Sequence, residues 1–100
     1  MSKEILNGLR LPVVAAPMFL VSGPDMVIAA ARAGIVGAFP TPNCRTTEQV
    51  DEWMTRIVAE TADAPGLWAA NLVTHSSNPR LADDLRMVAK HKPPIVITAL

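Results

Sequence analysis

One cysteine, two histidines and no surplus of either charge leave this chain little material for several common kinds of chemistry. A lone Cys44 excludes an internal disulfide framework and fits a reducing, cytoplasmic setting. Two histidines and one cysteine do not complete a tetrahedral zinc site without other ligands. Nine Lys and Arg against nine Asp and Glu, with no basic run, argue against nucleic acid as a partner. There is no Gly-x-Gly-x-x-Gly and no phosphate-loop motif, so dedicated dinucleotide or triphosphate binding is unsupported. No stretch approaches the roughly 18 to 20 apolar residues of a membrane span. Leu11 to Val21 is apolar and follows Lys3 and Arg10, but Pro12 and Pro17 interrupt it and Glu4 spoils the basic region. That argues against a signal peptide. The expectation is a soluble, cytoplasmic protein with neither nucleic acid nor membrane as partner.

What the chain does have is apolar residues, half of its 100, gathered into four short runs. They are Val13–Ala16, Ile35–Phe39, Leu67–Asn71 and Ile95–Ala99, with an amphipathic helical stretch between each and the next. Such alternation predicts an α/β fold, a parallel sheet of βα units with the carboxyl ends of all four strands at one end. Two architectures fit: a small open sheet, or the N-terminal half of an eight-stranded (βα)8 (TIM) barrel of roughly 250 residues. Either way, residues 1–100 form one domain, with no linker long enough to divide it.

The first predicted helix starts at Ser22 or Gly23 as cap, with Pro24 in its first turn, and stops at Gly34. Met26, Val27, Ala30 and Ala31 make its buried face. In the second, Thr46 and Gln49 have capping-box spacing, and Val50, Trp53, Met54, Ile57 and Val58 share one face. The third starts at Asn78-Pro79, turns Leu81, Leu85, Val88 and Ala89 inward, and ends before Pro93-Pro94.

Ligands of parallel sheets bind beyond the strands' carboxyl ends. The residues there are Pro17-Met18, Pro40-Thr41-Pro42-Asn43 and Asn71-Leu72-Val73. Several stretches around them resemble the nitronate monooxygenase family, also called 2-nitropropane dioxygenases. They are Leu11-Pro12-Val13-Val14-Ala15-Ala16-Pro17-Met18, the Ala-rich Ile28–Gly37 stretch, and Ala70-Asn71-Leu72. Phe39–Thr47 looks like the subgroup with NADH:quinone reductase-like members, and Pro94–Leu100 matches the fourth strand in kind. The resemblance implies an FMN-dependent barrel of which residues 1–100 supply four strands and three helices. It implies that the complete protein oxidises alkyl nitronates with oxygen. The alternatives are NAD(P)H:quinone reduction on the same scaffold, and a barrel fragment without activity. The family's phosphate-binding glycines and catalytic histidine fall outside this chain, so no catalytic residue is assigned.

For the flavin itself, the resemblance points to Ala16, Pro17, Met18, Asn71 and Thr98. Proline frees backbone from a ladder and Met packs adaptably against a ring; the plainer alternative is a strand-to-loop turn with Met in the core. The Asn71 amide can donate to and accept from a flavin's pyrimidine edge, or simply cap a loop. Thr98 and Ala99 are small enough to leave room for a cofactor, although Thr is also an ordinary strand former. His75 has the chemistry of a general base, but no orienting acid or oxyanion site is visible beside it, and a solvated loop histidine is the expectation. His91, after the third helix, is expected to be structural. Cys44 beside Arg45 has a route to a lowered thiol pKa. Arg45 itself offers a charge for an anionic group or a surface ion pair. Trp53 and Trp68 are expected in the core.

Overall fold

The computed structural model describes residues 4–99. Lys3, and Leu100 at the end of the fourth family-like stretch, lie outside the described residues. Four strands form one sheet: β1 (Val14–Ala15), β2 (Val36–Pro40), β3 (Leu67–Val73) and β4 (Ile95–Ala99). Their order in space is their order in the chain, and every neighbouring pair is parallel, as the alternation predicts. Their carboxyl ends therefore share one end of the sheet.

Three helices connect them: α2 (Pro24–Arg32), α3 (Thr47–Glu60) and α4 (Leu81–His91). A short α1 (Glu4–Asn7) precedes β1, and a 3-10 turn, Thr41–Asn43, follows β2; neither was legible as an element. Gly23, not Ser22, caps α2, and no side chain satisfies its amides. The helix stops at Gly34, whose φ of 93° is costly for other residues. At α3 the cap forms from Gln49 N donating to Thr46 Oγ1 at 3.1 Å. The return bond is displaced by one residue: Gln49 Oε1 accepts from Arg45 N at 2.7 Å. Helix α4 starts later than Asn78-Pro79 suggests. Asn78 Oδ1 instead accepts from Arg80 N at 3.1 Å, a local turn that delays the first helical residue to Leu81.

Side chains alternate across a strand, so the sheet's two faces are separate populations. One face carries Phe39, Trp68 and Ala70, packed against Val27 and Ile28 of α2 and Val50, Met54 and Ile57 of α3. Trp68 is buried there, and Trp53 meets Phe39 edge-on at 5.5 Å between centroids. Gly37 admits α2 closely, since a Cβ at that position would overlap the Val27 backbone. The inward faces of the helices differ from the periodic reading at several places. Ile28 is buried where Met26 is exposed, and Val58, Leu85 and Ala89 are exposed. The buried residue of α4 is Asp84.

The other face carries Val36, Ala38 and Ala69, flanked by Leu67, Ile95 and Ile97. Leu6 and Leu9 pack against this cluster. Arg10 N then donates to Gly34 O, which places that cover at the strands' amino end. Toward the carboxyl end the same face is lined by Pro40, Asn71 and Ile97, which lie in register across three strands.

Candidate functional site at the strand carboxyl ends

Asn71 is the polar residue of that face, which is bare of crossover helices, and it is only 8 % exposed. Its Nδ2 donates to Ile97 O at 3.0 Å and more weakly to Leu72 O. Because both partners are carbonyl oxygens, the amide's orientation is fixed: Nδ2 faces β4 and Oδ1 faces away. Oδ1 accepts no hydrogen bond among the described residues. The residue is buried, yet Oδ1 itself is not sealed from solvent, so it is an acceptor open to water or to a ligand N–H.

Two strands away, roughly 10 Å by ordinary strand spacing, the chain leaves β1 through Ala16, Pro17 and Met18. Continued alternation puts Ala16 on the face of Val14 and Val36, the same face as Asn71. Met18 is exposed, but its backbone is fully engaged. Met18 N donates to Ser22 Oγ at 2.9 Å. Met18 O accepts from Val21 N, Ser22 N and Asn43 Nδ2. What Met18 offers a ligand is therefore its thioether side chain.

Thr98 does not join them. It is in register with Leu72, on the helix-bearing face, so the sheet lies between its side chain and Asn71. The β4 residue that shares the bare face is Ala99, in register with Val73.

His75 lies outside this constellation. Its Nδ1 accepts from Ser77 N at 3.1 Å and is 2.8 Å from Ser77 Oγ, so it builds an exposed turn. His91 is structural: its Nε2 is 2.6 Å from Asp51 Oδ1. Lys90 Nζ also reaches Asp51, and this bond, with the one from His91, holds the Asp51 carboxyl below its ordinary range. The activated-thiol expectation for Cys44 is overturned. Burial pushes its pKa up to about 12, opposed only in part by the charge of Arg80 rather than exposed Arg45.

Sequence reasoning missed a polar group behind the site. Thr41 Oγ1 donates to Asp84 Oδ2 at 2.7 Å, and Asp84 is fully buried. Arg80 Nη2 donates to Thr41 O at 3.3 Å and to Cys44 O at 2.8 Å. Asp84 Oδ1 and Arg80 Nη1 are buried without partners, a fitting place for an internal water. The available signal was spacing: Asp84 falls between Leu81 and Val88 on the inward stripe. Asn43 belongs to the strand-end segment Pro40–Asn43, and its spacing carries no signal of its contacts.

Two clefts lie elsewhere. One of about 410 Å³ is lined by Arg32, Glu60 and Asp63; one of about 310 Å³ by Thr47, Asp51, Asp83 and Arg86. Neither touches Asn71 or Met18. Among the described residues no cluster of three or more His, Cys, Asp and Glu is placed to hold a metal. No described helix is long and apolar enough to cross a membrane. No family model, curated protein or solved structure matches this chain.

Proposed function

We propose that the chain is the N-terminal half of an FMN-binding βα barrel, and that the complete protein is an oxidoreductase of the nitronate monooxygenase type. Three features support the barrel reading. The strands run in the order 1-2-3-4, all three crossover helices pack as one layer, and the bare face carries small or aliphatic side chains. A doubly wound sheet would reverse its order and cover both faces with helices.

The observation that carries the cofactor proposal is the free Oδ1 of Asn71, an open acceptor on a largely buried residue at a strand tip on the bare face. It suits the N–H of a flat heterocycle lying across the strand ends toward Ala16 and Pro17. Ala16 and Ala99 leave room for a ring, and Met18 supplies an adaptable apolar contact. No comparable anchor for the phosphate lies at these loops among the described residues. Arg45 is exposed, and Arg80 donates through Nη2 to backbone carbonyls while its Nη1 is buried. The chemistry that bound FMN would supply is that of an electron acceptor for an alkyl nitronate, with oxygen completing the oxidation. Within this reading Asn71 orients the ring, Pro17 and Met18 bound it on the β1 side, and the aliphatic face beneath excludes water.

A second reading, reduction of a quinone by NAD(P)H, is favoured by the exposed apolar run Met18–Val21, which suits a flat apolar acceptor. The test is a visible spectrum after FMN is added and the excess removed. It is followed by a challenge with an alkyl nitronate and oxygen, or with NADH and a quinone. The protein carrying four further strands should retain stoichiometric flavin and oxidise the nitronate. Residues 1–100 alone should bind the ring only weakly, lose it when the excess is removed, and turn over nothing. Stoichiometric flavin on a stable monomer of residues 1–100 would replace the half-barrel with a complete small flavoprotein. No flavin on the longer protein would end the reading.

A further inference from the structure

We propose that Asn43 is a positioning residue for the site at the strand ends, holding the β1–α2 loop in the one conformation that lines it. The inference rests on the ring-binding reading above. Four consecutive apolar residues, Met18 to Val21, sit in this loop, and Leu20 is 79 % exposed. Leu20 also has a φ of 65°, a left-handed conformation that a residue with a branched side chain rarely adopts. An exposed apolar loop with a strained centre does not keep that shape unaided. Asn43 supplies the constraint from another loop. Its Oδ1 accepts from Leu20 N at 2.8 Å, the bond that fixes the left-handed residue. Its Nδ2 donates to Met18 O at 3.1 Å and to Ser22 O at 2.7 Å, either side of the turn.

One amide thus engages three backbone groups of a segment 21 to 25 residues away in sequence. No other side chain has that reach: it needs an acceptor and two donors in one plane, which only Asn and Gln possess. Asn43 is itself anchored. It ends the 3-10 turn, whose Thr41 and adjoining Cys44 are tied to α4 through Arg80 and Asp84. The β2 loop therefore transmits the rigidity of the helix layer to the β1 loop. The consequence is selectivity for ligands with an apolar face, because the loop presents side chains and keeps the Met18 amide and carbonyl for itself.

The experiment compares the chain with Asn43→Ala, Leu20→Gly and the double variant. It reads amide hydrogen exchange of residues 18–22, riboflavin affinity from quenching of its fluorescence, and thermal midpoint. Asn43→Ala should speed exchange at Leu20 at least tenfold and weaken riboflavin at least fivefold, with the midpoint within about 5 °C of the parent. In the double variant glycine adopts the left-handed turn without a clamp, so at least half of the lost affinity should return. Unchanged exchange in Asn43→Ala would overturn the clamp. Faster exchange with unchanged riboflavin affinity would overturn the positioning role. Failure of the parent chain to bind riboflavin at all would instead overturn the ring-binding reading, while exchange at Leu20 still decides the clamp.

Discussion

The two faces of this sheet are built from the same four strands and have opposite characters. The helix-bearing face is filled by Phe39, Trp68, Met54 and Ile57, large side chains from strand and helix packed without exposure. The face bare of crossover helices is Val36, Ala38 and Ala69, buried under Leu6 and Leu9, with Pro40 and Asn71 toward the carboxyl end. Large residues on one side fix the fold. Smaller residues line the other, and the one buried amide among them has an acceptor open to solvent.

The contrast breaks most easily at its stable side. Phe39→Ala should cost about 3–5 kcal/mol, because it removes a fully buried ring from the centre of the larger cluster. Denaturant titration checks it. A loss below about 1 kcal/mol would mean that the helix layer is loosely packed. Thr41→Val should cost about 1–3 kcal/mol, since it takes the donor from Asp84 Oδ2 and leaves both oxygens of a buried carboxyl unpartnered. Equal stability of Thr41→Val and parent would argue that water already serves both oxygens.

Asn71→Ala sharpens the comparison from the other side. It removes the bond to Ile97 O, a matter of about 0.5–1.5 kcal/mol, and should leave the fold intact while weakening flavin retention or altering its reduction. Unchanged flavin content and reduction rate would count against the contact. Thr98→Val should change neither, because Thr98 faces the helix side.

A pH dependence belongs to the helix-bearing side as well. Cys44 ionises near 9.0 in its ordinary state and near 12 when buried. Above the lower value the unfolded chain has lost its proton and the native one has not. Burial of Cys44 therefore contributes fully below 9.0, and its contribution is lost as pH rises toward 12. Cys44→Ala should flatten the fall in urea midpoint between pH 8 and about 10, and the native thiol should alkylate at least a hundredfold more slowly than the unfolded one. Fast alkylation of the native protein would contradict the burial. The smallest effect expected is at Asp51. Its depressed carboxyl contributes above its ordinary 3.8, and that contribution is lost as pH falls through the native value.

Much of the architecture was legible because it follows from period and punctuation. Apolar runs separated by helical stretches define the βα order, Gly34 and Pro93-Pro94 stop helices, and Thr46 with Gln49 starts one. The misplacements have physical causes. Helix faces were shifted at Ile28 and Asp84 because burial depends on what lies opposite, and a paired Asp occupies an inward position that periodicity reserves for apolar residues. Thr98 and Ala99 both end the fourth strand, and strand parity puts them on opposite faces of the sheet. Asn71 stood out as an amide ending an apolar strand. Asn43 did not, because its three partners lie in another loop and a Pro-Asn turn explains the residue locally.

The measurement nearest to the central claim is a map of backbone amide shifts as riboflavin is added to isotope-labelled chain, since weak binding by the ring alone remains readable. The bare-face site predicts shifts concentrated at Ala16, Met18, Asn71, Leu72 and Ala99, with Lys90, His91 and the Arg32–Asp63 cleft unmoved. Shifts confined to either cleft of the helix layer, or none at saturating riboflavin, would contradict it.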